Sequence, residues 1–311
     1  MQGALQKSRR LRKNASGGRE KNVRMRISAL QEGAEHSRSF SAEENMGKER
    51  KVELLVSKKT VKIRNTEIGV GIPKICIPLV AADRNELTAV LAGLDQNPWD
   101  LVEWRADFYK DTEKQEIQTE ALQLIREKIG EKPLLYTFRT GEEGGNRRIS
   151  REMYKTVIRS AVESGLADLV DVELNRGEKL AAELIAAAHS HRVAVLGSFH
   201  DFEKTPSSEI MTGILRRMQQ LDMDITKLAV MPRDKWDVLK LLEASVRMEQ
   251  EWADRPFVTM SMGALGSLSR IAGSFSGSAI TFGMAGKASA PGQLPASKLE
   301  NVLRIMSECI G

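Results

Sequence analysis

The sequence predicts an α/β fold, a (β/α)8 TIM-type barrel preceded by a short hairpin and a basic N-terminal tail. Three observations carry this. From Pro73 onward, short apolar runs alternate with longer amphipathic stretches at a steady spacing, the pattern of parallel β/α units. Eight such units can be counted. The 311 residues exceed one average domain but suit a single barrel of roughly 250 residues with an extension. An open doubly wound sheet is disfavoured, because no Gly-x-Gly-x-x-Gly turn follows the first strand.

Residues 1–50 are expected to be a disordered basic extension and 51–311 the catalytic barrel. Nine of the first 26 residues are basic against the single acid Glu20, so this segment holds +8 of a net +5 and leaves −3 on the rest. The positive charge therefore belongs to the tail, and nucleic acid is expected to touch the protein only non-specifically, through it. The tail lacks apolar periodicity and reads as a solvated arm, with Met46 a candidate later start. Order is expected from near Val52. Residues 56–69 read as two alternating segments about Arg64-Asn65, a hairpin suited to capping the bottom of a barrel.

The first barrel strand is read at Lys74–Leu79, followed by a helix over Asn85–Leu94. The second is Leu101–Arg105, with a helix across Glu113–Lys128. The third, Leu134–Arg139, leads to a helix from Arg151 to Ser164 whose N-cap is Ser150. Strand four, Leu169–Glu173, precedes the alanine-rich helix Glu178–Ser190; strand five, Val193–Phe199, precedes Ser208–Leu221. Strand six spans the run around Lys227 and is backed by a long helix, Lys235–Trp252. Phe257–Met260 and Ala279–Phe282 are strands seven and eight, followed by helices at Ser267–Ala272 and Ala296–Cys309.

Bulk chemistry narrows the class. Cys76 and Cys309 lie far apart, which suggests neither a disulfide scaffold nor a thiolate metal site. With one histidine at a strand end and no matched ligand pair, metal binding is disfavoured. No run approaches the roughly 18 apolar residues of a membrane span, and no secretory leader is evident, so a soluble cytoplasmic protein is expected.

The polar residues then fall into a pattern. Lys227 sits in the apolar run Ile225-Thr226-Lys227-Leu228-Ala229-Val230-Met231, where alternation puts it on the face of Ile225 and Ala229, toward the barrel interior. Burial disfavours its charged form, as a nucleophilic amine requires. Glu103 and Arg105 alternate inward on strand two, with Asp107 beyond. Arg139 ends strand three and Glu143 follows; His200 ends strand five; Arg270 follows strand seven; Ser289 and Gln293 follow strand eight. All converge on the carboxyl ends of the strands, where barrel enzymes carry their active sites. Taken singly each has a plainer meaning: Glu103 and Arg105 as an internal ion pair, Lys227 as a lysine paired with a carboxylate, Arg147 and Arg148 as surface charge.

Six segments in order resemble one family. Glu103-Trp104-Arg105-Ala106-Asp107, Thr137-Phe138-Arg139-Thr140 with Glu143-Gly144-Gly145, Ser198-Phe199-His200-Asp201-Phe202, Lys227-Leu228-Ala229-Val230-Met231-Pro232, Met260-Ser261-Met262-Gly263 with Ser269-Arg270, and Ser289-Ala290-Pro291-Gly292-Gln293 are similar to the successive signatures of type I 3-dehydroquinate dehydratase. The resemblance covers about Val56 to the C-terminus. It implies a shikimate-pathway lyase, without metal or organic cofactor, that dehydrates 3-dehydroquinate to 3-dehydroshikimate through a lysine Schiff base and forms a homodimer. By the same resemblance Lys227 is the imine-forming residue, His200 the general acid and base, and Glu143 its orienting partner. Arg270 is the carboxylate clamp, Glu103, Arg105, Arg139, Ser289 and Gln293 bind substrate oxygens, and Phe202, Met260 and Met262 form an apolar wall. Two other readings stay open at this point: a class I aldolase-type Schiff-base barrel, and a barrel that binds a metabolite without chemistry.

Overall fold

The computed structural model describes residues 60–286 and 292–310. The expected tail at 1–50, the expected onset of order near Val52, and Ser289 lie outside the described residues. A hairpin opens the described chain, β1 (Val61–Ile63) paired antiparallel with β2 (Thr66–Ile68). Its turn is at Arg64-Asn65 as expected, and Arg64 takes the left-handed conformation that a two-residue hairpin demands, at φ 50°.

Eight parallel strands then alternate with helices: β3 (Lys74–Leu79), β4 (Leu101–Arg105), β5 (Leu134–Thr137), β6 (Leu169–Glu173), β7 (Ala194–Asp201), β8 (Ile225–Val230), β9 (Phe257–Ser261) and β10 (Ile280–Met284). From β3 to β9 each hydrogen-bonds to the next, and β10 returns to β3. The seam between β9 and β10 closes through a Phe257–Ser278 bridge, with the Ala279 amide donating to the Phe257 carbonyl at 2.8 Å. The helices behind these strands are α1 (Arg84–Ala92), α2 (Gln115–Ile129), α3 (Arg151–Glu163), α4 (Glu178–Ser190), α5 (Ser208–Gln220), α6 (Lys235–Arg247), α7 (Ser267–Ile271), α8 (Gly273–Ser276) and α9 (Ala296–Ile310). Short polar side chains start several of them: Asp83, Ser150, Ser207 and Asp234 each accept from amides of the first turn.

Alternation along the strands sorts the core into two layers. Outward residues such as Trp104, Tyr136, Val170 and Val195 pack under the helices. Inward residues Cys76, Leu101, Leu135, Leu169, Leu196 and Ile225 fill the lower barrel, where Ile63 and Ile68 of the hairpin close its floor. The hairpin thus caps the barrel as its pattern suggested.

Some boundaries differ, for reasons the contacts supply. Strand three stops at Thr137 and not at Arg139, because the Arg139 and Thr140 amides leave the ladder for the Asp107 and Glu173 carboxylates. Strand five runs on to Asp201, since β8 pairs with it as far as Val230, so His200 lies inside the strand. The long sixth helix ends at Arg247 and passes into a π-helical turn, Met248–Trp252, closed by the Ala253 amide on the Met248 carbonyl. A short strand β11 (Leu294–Pro295), unforeseen, pairs with the end of β10 and carries Gln293 to the barrel mouth. Among the described residues no helix is long and apolar enough to cross a membrane.

Candidate active site

At the carboxyl ends of the strands a pocket of about 590 Å³ is lined by Glu103, Arg105, Arg139, Glu143, His200, Lys227, Arg270 and Gln293, with Phe202, Met260 and Met262 among its apolar wall. Every site residue read from the sequence lines it except Ser289, which is outside the described residues. The lining is drawn from six of the eight strands or their following loops, which is why no local stretch of sequence contains the site.

Lys227 is 4% exposed. Its Nζ lies 4.0 Å from Glu103 Oε1 and 4.1 Å from the centre of the Phe282 ring. Burial lowers its pKa from the ordinary lysine value; Glu103 opposes the shift and Arg139 adds to it. A neutral amine is therefore easier to reach here than on the surface. Glu103 is itself fixed by the Thr137 hydroxyl at 2.9 Å.

His200 Nδ1 is 2.8 Å from Glu143 Oε2, so the carboxylate holds the ring and Nε2 is left for the pocket. Phe202 stacks nearly parallel to the imidazole, ring centres 6.4 Å apart. Burial, then the positive charges of Arg139, Lys227 and Arg105, hold His200 well below the usual histidine range. Burial, then repulsion from Glu173, pushes the Glu143 carboxyl well above its usual range, against the pull of Arg139. With Nδ1–H donating to Glu143, the Nε2 of a neutral imidazole is open to the pocket that Lys227 also lines.

Arg139 is the hub of a buried cluster. Its Nη1 donates to Glu173 and Ser198, both at 2.8 Å, and to Glu143 at 3.4 Å; Nη2 donates to Asp171 at 2.5 Å. Ser198 in turn donates to Asp171 at 2.7 Å, and Thr140 donates to Glu173 through both its hydroxyl and its amide. Asp171, Glu173 and Ser198 were not foreseen as site residues. The available signal was parity, since Asp171 and Glu173 share the inward face of β6 with Leu169 and no apolar strand buries two carboxylates without a cation to meet them. Arg105 makes a two-pronged pair with Asp107, both bonds 2.8 Å, and its guanidinium lies over the Phe108 ring.

Arg270 is 2% exposed, and burial pushes its pKa down to about 10. Arg147, expected as surface charge, is half-buried: it donates to the Asp107 and Tyr109 carbonyls and to Glu113, and lies over Phe138. Its neighbour Arg148 is exposed as expected.

Residues 75–309 match the family model of type I 3-dehydroquinase. The chain belongs to the type I 3-dehydroquinase family. The match begins in β3 and ends in α9, so all lining residues of the pocket lie within this 3-dehydroquinase segment. The chain is 45% identical over 249 residues to a 3-dehydroquinate dehydratase of Bacillus licheniformis, which spans 80% of this chain and 98% of that one. It is 44% identical over 250 residues to the enzyme of Escherichia coli K12, spanning 80% and 99%. A crystal structure of the type I enzyme from Clostridium difficile, carrying covalently modified comenic acid, superposes with a TM-score of 0.79 at 42% identity, covering 81% of this chain and 99% of that one. The enzyme from Enterococcus faecalis gives 0.74 at 40% identity, covering 79% and 98%.

Proposed function

We propose that this type I 3-dehydroquinase dehydrates 3-dehydroquinate to 3-dehydroshikimate, a step of the shikimate pathway, through an imine on Lys227. The observation that supports this most directly is a buried lysine of lowered pKa that shares one pocket with a neutral histidine and a buried arginine. The neutral amine attacks the C3 ketone, water leaves, and the protonated imine draws electrons from the neighbouring C2–H bond. His200 Nε2 takes the C2 proton and returns a proton to the C1 hydroxyl, which departs as water. Glu143 keeps the imidazole turned to that task. Arg270 grips the substrate carboxylate, and Glu103, Arg105, Arg139, Gln293 and Ser289 hold its remaining oxygens, with no metal or organic cofactor. Hydrolysis of the imine then frees product and amine.

Borohydride added during turnover should reduce the imine and leave one substrate-derived adduct on the peptide containing Lys227. Formation of conjugated enone, followed by absorbance, reads the activity itself. An adduct on another lysine, or parental turnover by Lys227→Ala, would overturn the assignment.

The same reading extends to the whole protein. The site residues span 103 to 293, so we take residues 1–50 as an extension outside the catalytic unit, meeting nucleic acid only non-specifically. Trp236, Leu239, Leu265, Leu268 and Phe275 are exposed on α6, α7, α8 and the loop before α7, and they suit a second copy in a homodimer. Two free cysteines, one buried and one exposed, fit a reducing cytoplasmic setting.

A further inference from the structure

Asp107 is fully buried, yet it does not line the pocket. Its carboxylate serves four donors at once. Oδ1 accepts from Arg105 Nε at 2.8 Å and from the Arg139 amide at 3.4 Å; Oδ2 accepts from Arg105 Nη2 at 2.8 Å and from the Asn146 amide at 2.9 Å. Its own carbonyl accepts from Arg147 Nε at 3.0 Å and from Asn146 Nδ2 at 3.3 Å. One residue at the end of β4 therefore touches both the pocket arginine on its own strand and each end of the loop that follows β5.

That loop is folded tightly enough to need a seat. The Gly141 amide bonds the Arg147 carbonyl and the Gly145 amide bonds the Thr140 carbonyl, both at 2.8 Å, which closes the segment into a ring with Glu143 in its middle. Gly145 lies so close to the strand end that a Cβ there would stand 1.9 Å from the Arg139 carbonyl oxygen. From this folded form Glu143 meets β7, its carboxylate 2.8 Å from His200 Nδ1.

We propose that Asp107 is a positioning residue that aligns the two halves of the site, fixing Arg105 by a fork and, independently, seating the Thr140–Arg147 loop so that Glu143 meets His200. Neutralising Arg105 is thus only half of its role. The inference deepens the proposed activity and rests on it for the meaning of turnover.

The test separates the two roles by removing the first. In Arg105→Ala the fork is gone, so any further effect of Asp107→Asn must pass through the loop. Relative to Arg105→Ala, the double variant Arg105→Ala/Asp107→Asn should lose a further factor of about 10² in kcat, the scale expected when a proton-transfer group is misplaced by about 1 Å. In ¹⁵N-histidine-labelled protein without substrate, the downfield His200 Nδ1–H signal should persist in Arg105→Ala and vanish or move upfield in the double variant. Gly145→Ala should weaken the same signal while leaving the fork intact, and it changes only a half-buried loop position should the double variant fail to fold. A double variant with the kcat and the Nδ1–H signal of Arg105→Ala would overturn the proposal, as would an unchanged signal in Gly145→Ala. Because the NMR signal needs no substrate, failure of the proposed activity shows separately, as an absence of enone formation by the parent enzyme.

Discussion

Arg270 gives the sharpest quantitative test, because a buried guanidinium lining the pocket should carry a large share of substrate binding. Its guanidinium is pushed down to about 10 by burial, below the ordinary arginine range. At neutral pH it is charged in both the folded and the unfolded chain, so a full positive charge is there to meet a substrate carboxylate. Replacing it by methionine keeps an apolar stem beside Met260, whose sulfur Nη1 approaches at 3.9 Å, and removes the charge. The same change should reduce kcat/KM by roughly 2 to 5 kcal/mol, since a substrate carboxylate loses its two-pronged partner. Saturating 3-dehydroshikimate should raise the Tm of the parent and leave that of the variant unmoved. If Arg270→Met keeps the parental kcat/KM, or if saturating 3-dehydroshikimate still raises its Tm, the reading of Arg270 as the grip on the substrate carboxylate is wrong.

Two further outcomes follow from the geometry. The depressed His200 pKa means that its imidazole stays neutral as pH falls through the ordinary histidine value of about 6.5 and takes a proton only below it; a histidine NMR titration with its midpoint at or above that value would refute the neutral-base assignment. Ile68 is fully buried in the barrel floor, so Ile68→Ala should cost about 2 to 5 kcal/mol in urea unfolding with kcat retained at 25 °C, whereas a loss under 1 kcal/mol would mean that the hairpin is not structurally coupled to the barrel.

Much of this architecture was legible because strand burial is a local property. Lys74–Leu79, Leu101–Arg105 and Leu169–Glu173 are found where their apolar runs end, and parity along Ile225–Val230 correctly turned Lys227 inward. The convergence of charged residues on one rim was legible for the same reason, since strand ends are countable. What escaped depends on partners distant in sequence. Asp171 meets Arg139 across 32 positions, and Arg147 meets the carbonyls of Asp107 and Tyr109 across 40 and 38. A polar loop residue whose acceptors are backbone carbonyls of another loop leaves no periodicity to read. The π-helical turn after Arg247 was hidden likewise, because it changes the hydrogen-bond register without changing the helical pattern of side chains.

The hairpin at the barrel floor has a consequence for traffic. Beneath Lys227 the interior is packed by Cys76, Leu101, Leu135, Leu169, Leu196 and Ile225, each fully buried, and Ile68 seals it from below. No water can rise through that plug. In the proposed mechanism the water that hydrolyses the imine is then either the one just released from C1 or one that comes down the mouth that admits the substrate. Substrate, product and any exchanging water would share that one doorway, so a ligand that fills the mouth while bonded to Lys227 would trap itself.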